Sequence, residues 1–316
     1  MFGWWARHQL GSNHSCVDKN QSGTHGLGET SAGVAGGFLT GCDAYVIKLD
    51  GATGETLWTT QFGSAVGDLA NAVAVDGNDG AMVVAGYTCG ALPRQSNVGG
   101  NVGNRDAYVM KLNGATGASV WTKQFGTLSR DDARAVSIDA DDGGTIVVAG
   151  FTGGTLSVPQ ASSDSTADAY VTKLRGDTGA TIWTKQYGAT AGDSYANAVC
   201  VDGADRTVVV AGDTAGSLQG QPVVAGSGGA YVVKLNGTTG EMVWTNQFGA
   251  STNSVTSAHA SEVAFDHGGD RETVPTVVVA GYVTGGALPG QNQTSLGSTD
   301  AYVMKLDGAT GVMVWT

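Results

Sequence analysis

The stretch with the most obvious chemical potential is Asp139-Ala-Asp-Asp-Gly-Gly144. Asp139, Asp141 and Asp142 place several hard oxygens within one turn, the kind of donor set that calcium takes. The competing expectation is a hairpin turn in which each aspartate bonds its own backbone. Asp76-Gly-Asn-Asp-Gly80 is oxygen-rich in the same way, whereas Asp202-Gly-Ala-Asp205 and Asp266-His-Gly-Gly269 occupy the same place in the chain with different chemistry, which favours the turn. No stretch completes a twelve-residue calcium loop closed by glutamate.

Other chemistries have less to build on. His8, His14, His25, His259 and His267 are scattered, and His-Glu-x-x-His does not occur. No Gly-x-Ser-x-Gly lies between a strand and a helix, so nucleophilic hydrolysis is not expected. Cys16, Cys42, Cys89 and Cys200 form no Cys-x-x-Cys. Cys200 stands where other repeats carry Ala74, Ser137 and Ala264, and Cys16 falls in the same column. Cys89 replaces Gly153, Ala215 and Gly285. These cysteines are expected to be free thiols acting as small apolar side chains. The net charge of −12 argues against a nucleic-acid partner, which needs clustered Lys and Arg. No apolar run is long enough to cross a membrane, and Met1-Phe-Gly-Trp-Trp-Ala-Arg7 does not read as a signal peptide.

The remaining charges are repeated ones. Asp43, Asp106, Asp168 and Asp300 each open a run Asp-Ala-Tyr-Val-x-Lys-Leu, in which Lys48, Lys111, Lys173 and Lys305 recur; Gly229 and Lys234 mark a fifth copy. A binding site usually breaks symmetry, so these residues are read as structural. Each run is followed by a Gly-containing turn and a tryptophan: Gly54 and Trp58, Gly117 and Trp121, Gly179 and Trp183, Gly240 and Trp244, Gly311 and Trp315. The glycines are expected to take positive φ in a bulged hairpin, and the indoles to pack on a neighbouring unit. The unit recurs about every 60 residues, the signature of a repeat architecture.

Within a unit, β-branched and aromatic runs alternate with Gly, Asn and Asp, and helix caps are absent. Asn71–Asp76, Ala81–Thr88, Asp106–Leu112 and Ser119–Phe125 are four such runs. Four short antiparallel strands per unit make a β-propeller blade. The fold expected is all-β, with blades near 11–63, 70–126, 134–188, 197–249 and 260–316. Residues 1–30 form a divergent N-terminal segment, a decayed first repeat; 31–316 carry the repeats. His14-Ser-Cys-Val-Asp18 resembles Ala198-Val-Cys-Val-Asp202 and is read as a first strand.

The unit Asp-Ala-Tyr-Val-x-Lys-Leu, with Ala-Asn-Ala-Val-Ala-Val-Asp and Val-Val-Ala-Gly-Tyr-Thr, resembles the SBBP-type β-propeller repeat. Leu49-Asp-Gly-Ala-Thr-Gly-Glu-Thr-Leu-Trp58 resembles the tryptophan-docking motif of quinoprotein (pyrroloquinoline quinone) propellers. The resemblances imply a ring of seven or eight blades, of which about five are seen here, so a fragment of a larger ring is one expectation. They also imply an extracellular or surface location. The family's adjacent cysteine pair is missing, so neither a quinone cofactor nor dehydrogenase activity is expected. The reading is a non-enzymatic scaffold for a protein or glycan ligand. A quinoprotein fragment and a calcium-stabilised adhesion module are the alternatives.

Overall fold

A computed structural model describes residues 17–18, 42–98, 104–156, 167–189, 192–218, 228–249, 257–267, 275–285, 288 and 297–316. The chain divides into two compact units, Met1–Ala133 and Arg134–Thr316. Among the described residues every regular element is a strand.

The first unit holds a three-stranded sheet of β1 (Val17–Asp18), β2 (Cys42–Leu49) and β3 (Thr56–Phe62). Beside it in sequence is a four-stranded sheet of β4 (Asp68–Val75), β5 (Met82–Thr88), β6 (Asp106–Leu112) and β7 (Ser119–Phe125). The second unit takes in β8 (Asp131–Asp139, which begins just before it), β9 (Thr145–Thr152), β10 (Asp168–Leu174) and β11 (Thr181–Tyr187). Its next sheet is β12 (Ser194–Asp202), β13 (Thr207–Thr214), β14 (Gly229–Asn236) and β15 (Met242–Phe248). The last is β16 (Ser257–Asp266), β17 (Thr276–Thr284), β18 (Thr299–Leu306) and β19 (Met313–Trp315). Each four-stranded sheet is an antiparallel meander in chain order, which is a propeller blade. The first strands begin at Asp68, Asp131, Ser194 and Ser257, just ahead of the expected 70, 134, 197 and 260.

The start of the chain differs from the expectation. Val17–Asp18 pairs with Cys42–Asp43, in the position that the second strand takes in the complete sheets. It is therefore not a first strand, despite its likeness to Val201-Asp202.

The repeated residues account for the shape of each sheet. The hairpin glycines adopt positive φ as expected: Gly54 74°, Gly117 70°, Gly179 70°, Gly240 71° and Gly311 72°. Register shifts after Lys48, Lys111, Lys173, Lys234 and Lys305 leave one extra residue in each fourth strand. Further shifts at Ala70/Ala72, Ala196/Ala198 and Ala260/Glu262 bulge the first strands at Asn71, Asn197 and Ser261. A bulge re-aims a side chain. Asn71 Nδ2 reaches the Ala133 carbonyl at 2.9 Å, and Asn197 Nδ2 reaches the Ala260 carbonyl at 3.1 Å. Within the second unit the bulged Asn197 thus ties its own sheet to the next.

Sheets join through a constant set of contacts. Trp58 Nε1 donates to the Gly114 carbonyl, Trp183 Nε1 to Gly237 and Trp244 Nε1 to Gly308, each at 3.1 Å. The indole lies over the glycine that closes the same turn, so a Cβ at Gly117, Gly240 or Gly311 would meet Trp58, Trp183 or Trp244 within 2.9 Å. Phe62, Tyr187 and Phe248 meet Tyr108, Tyr231 and Tyr302 edge to face, with ring centroids 5.6, 5.9 and 6.0 Å apart. Val171 packs with Tyr231, Val233 and Leu235, and Val232 with Tyr302, Met304 and Leu306. Within each unit the core is therefore layered between successive sheets, and the layers are built from the same positions.

Candidate functional site

The repeated charges are absorbed by this frame. Asp43, Asp106 and Asp168 accept from Gln61, Gln124 and Gln186 Nε2 at 2.8, 2.8 and 2.9 Å. Gln124, Gln186 and Gln247 also accept the backbone N–H of Leu92, Leu156 and Leu218 through Oε1. Each glutamine therefore fastens the loop after the second strand to its sheet. The lysines bridge sheets. Lys48, Lys173 and Lys234 Nζ donate to the carbonyls of Gly114, Gly237 and Gly308 at 2.6, 3.1 and 3.0 Å.

Lys173 also fills the turn that suggested calcium. Its Nζ lies 2.9 Å from Asp142 Oδ2 and 3.8 Å from Asp139 Oδ2, with the lysine and Asp139 both buried. Asp141 is exposed. Asp139 Oδ1 accepts the Asp142 N–H at 3.1 Å, and Asp76 and Asp202 do the same within their own turns at 2.9 and 3.0 Å. Among the described residues no group of three or more carboxylate, imidazole or thiol side chains is arranged to hold a metal ion. The Asp139 turn is organised around an ammonium group.

The cysteines need one correction. Cys42 is disulfide-bonded rather than a free thiol. It differs from Cys89 and Cys200 in place: it stands outside the small-residue columns, immediately before Asp43, where other repeats carry Arg105, Ala167 and Thr299. Cys89 and Cys200 are half-buried and not disulfide-bonded, and burial pushes the Cys89 thiol upward. Cys16 lies outside the described residues.

The positions that break the repeat are found where first and second strands of adjacent sheets meet. In the first unit, Arg105 lies over the Tyr87 ring at 4.4 Å and 3.4 Å from Asp132, which also accepts from Asn71 Nδ2 at 2.8 Å. In the second unit, the Arg134 guanidinium sits between Phe151 and Tyr195, 4.7 and 4.6 Å from the ring centroids, and donates to Asn197 Oδ1 at 2.7 Å. One sheet further on, Asp213 takes the aromatic position and His259 the first-strand position. His259 Nδ1 is 3.2 Å from Asp213 Oδ2, and its ring stacks on Tyr282 at 4.5 Å. Asn197 Nδ2 and the Ala260 N–H hold the same carboxylate at 2.8 and 3.1 Å. The hydrogen bond to Asp213 raises the His259 pKa above its ordinary value, against the opposing effect of partial burial.

Ser257 completes a line that the sequence did not suggest. Its Oγ is 3.1 Å from His259 Nε2 and 2.7 Å from Thr284 Oγ1. Ser257 and His259 share a strand face because they are two residues apart, and Asp213 arrives from the neighbouring sheet. The order hydroxyl, imidazole, carboxylate is that of a proton relay, although here the hydroxyl is also held by Thr284. His267, by contrast, faces Asp202 at 3.8 Å in another turn. His8, His14 and His25 lie outside the described residues.

No protein-family model matches the chain, and no curated protein sequence matches it. Among solved structures it is similar to the quinohaemoprotein alcohol dehydrogenase from Comamonas testosteroni, at 12% identity and TM-score 0.45, over 86% of this chain and 43% of that one. It is similar to a europium-containing methanol dehydrogenase at 14% identity and TM-score 0.40, over 88% of this chain and 59% of that one. It is also similar to BamB from Moraxella catarrhalis at 15% identity and TM-score 0.28, over 85% of this chain and 87% of that one. The chain spans roughly half the length of the two dehydrogenases. The assignment to propeller blades rests on the sheets themselves.

Proposed function

We propose that the chain is a non-enzymatic scaffold of SBBP-type repeats that works outside the cytoplasm and binds a protein or glycan ligand. One observation carries this reading. The Asp, Lys, Trp, Gly and Gln residues that recur are spent on joining strands and sheets, while among the described residues Arg134, Asp213 and His259 depart from the repeat at the first-strand junctions. Arg134, Tyr195 and His259 there combine a guanidinium, a phenol and an imidazole, a combination suited to recognition. The disulfide at Cys42 supports an oxidising compartment, where such bonds persist.

A second reading is favoured by the Ser257–His259–Asp213 line, which could activate a serine toward an acyl carbon. Reaction with a fluorophosphonate, followed by mass measurement of the intact chain, separates the two. The scaffold reading expects no adduct, since the Ser257 hydroxyl is shared with Thr284. An adduct on Ser257 that disappears in Asp213→Asn would replace the scaffold by a serine hydrolase.

A further inference from the structure

Ala70-Asn-Ala72, Ala133-Arg-Ala135 and Ala196-Asn-Ala198 occupy one column of the repeat. The two asparagines spend Nδ2 on the carbonyls of Ala133 and Ala260, a structural task. Arg134 has a different one. Among the described residues it makes one side-chain hydrogen bond, from Nη1 to Asn197 Oδ1 at 2.7 Å, and no ion pair. Arg105, by contrast, is paired with Asp132, and Arg175 with Asp177.

The carboxylates of the neighbouring sheet are engaged elsewhere. Asp193, just ahead of β12, accepts the Tyr195 hydroxyl at 2.7 Å and the Ala167 N–H at 2.9 Å. Asp213, on β13, holds His259, Asn197 and the Ala260 N–H. The Arg134 guanidinium is nonetheless fixed. The Phe151 and Tyr195 rings that it lies over meet edge to face, with centroids 5.0 Å apart. Asn197, its hydrogen-bond partner, is anchored in turn by Asp213 and the Ala260 carbonyl. Stacking occupies the faces of a guanidinium and leaves its N–H edge for a bidentate partner. A half-buried guanidinium held in this way, with no carboxylate of its own, is preorganised to receive one from a ligand.

We infer that Arg134 receives the carboxylate of an acidic sugar, a uronic or sialic acid within an otherwise neutral glycan. The inference rests on the scaffold reading and names its ligand. The side chains joined to Arg134 by contact or through Asn197 and Asp213 are Tyr195, His259 and Ser257. They combine ring faces with hydroxyl and imidazole groups, which matches the C–H faces and hydroxyl edges of a sugar. None adds a large aliphatic surface of the kind that anchors a peptide. The net charge of −12 opposes a densely charged polyanion, so the acid groups recognised are isolated ones.

Binding of the full chain to immobilised oligosaccharides ending in a uronic or sialic acid, each beside its methyl ester, tests the assignment; a glutamate-rich peptide is included. The wild-type chain is expected to bind at least one free acid about tenfold or more tighter than its ester. Arg134→Met should abolish that preference. The acid–ester comparison uses the wild-type chain alone, so it decides the matter even if the variant fails to fold. Equal binding of acid and ester overturns the proposal and leaves a scaffold for neutral glycans. Capture of the peptide alone overturns it in favour of a protein ligand. Binding to no probe overturns it and removes the glycan half of the scaffold reading as well. An acid preference retained by a folded Arg134→Met chain also overturns it, by placing the carboxylate elsewhere.

Discussion

Gly212→Ala is expected to lower stability by about 3–5 kcal/mol, among the largest effects of any single methyl group in the chain. The added Cβ would lie 1.9 Å from the Tyr195 carbonyl oxygen and 2.8 Å from the Tyr231 hydroxyl. Those two groups are hydrogen-bonded to each other at 2.9 Å across the sheet, and Tyr231 is fully buried. Neither can retreat: the carbonyl belongs to the strand that bulges between Ala196 and Ala198, and the phenol is clamped edge to face by Tyr187. Gly86 and Gly281 repeat the arrangement with Leu69 and His259, so the same change there should cost as much. Gly77→Ala is the control, since a Cβ at Gly77 would meet nothing within 4 Å. Urea unfolding of the two variants compares them directly. A Gly212→Ala chain as stable as Gly77→Ala would mean that the tyrosine clamp is not a rigid part of the blade.

Lys173→Met is expected to cost about 3–5 kcal/mol, because it strands a buried carboxylate rather than because it removes an attraction. Lys173 is 2% exposed, and its ammonium serves Asp139, Asp142 and the Gly237 carbonyl at once. Burial already raises the Asp139 pKa, and Lys173 is the chief opposing influence. Without the lysine the carboxyl rises further. A carboxyl whose folded pKa lies above its unfolded value destabilises the fold fully above the folded value. The penalty fades as pH falls toward the ordinary 3.8. The deficit of Lys173→Met should therefore shrink as unfolding is measured at lower pH, and Lys173→Met with Asp139→Leu should recover much of the loss. A deficit independent of pH and unrelieved by the double change would place the cost in packing alone.

The blades were legible in the sequence because their construction is repeated. Five copies of a glycine before a tryptophan define a bulged hairpin, and the glycines do take positive φ. The structural reading of Asp43, Asp106, Asp168 and the lysines follows from the same repetition, and the hydrogen bonds supply their roles. The junction chemistry was not legible. Asp213 and His259 are far apart in the chain and belong to different sheets, and what brings them together is the packing of β12 against β16 and the bulge at Asn197. One signal was present: Asp213 stands where the other second strands carry Tyr87, Phe151 and Tyr282, a break in a column that is otherwise aromatic. Cys42 was missed because it belongs to no column, and the place of Val17–Asp18 because a two-residue match cannot distinguish first strand from second.

The account divides the chain into repeated residues that build and non-repeated ones that bind. Binding of the wild-type chain and of Arg134→Ala with His259→Ala to an array of immobilised glycans, at a temperature where both are folded, tests that division most directly. The account expects wild-type binding to fall at least about tenfold in the double variant, with a melt shifted by only a few degrees. Binding that survives the loss of both side chains would contradict it and would move recognition away from the first-strand junctions.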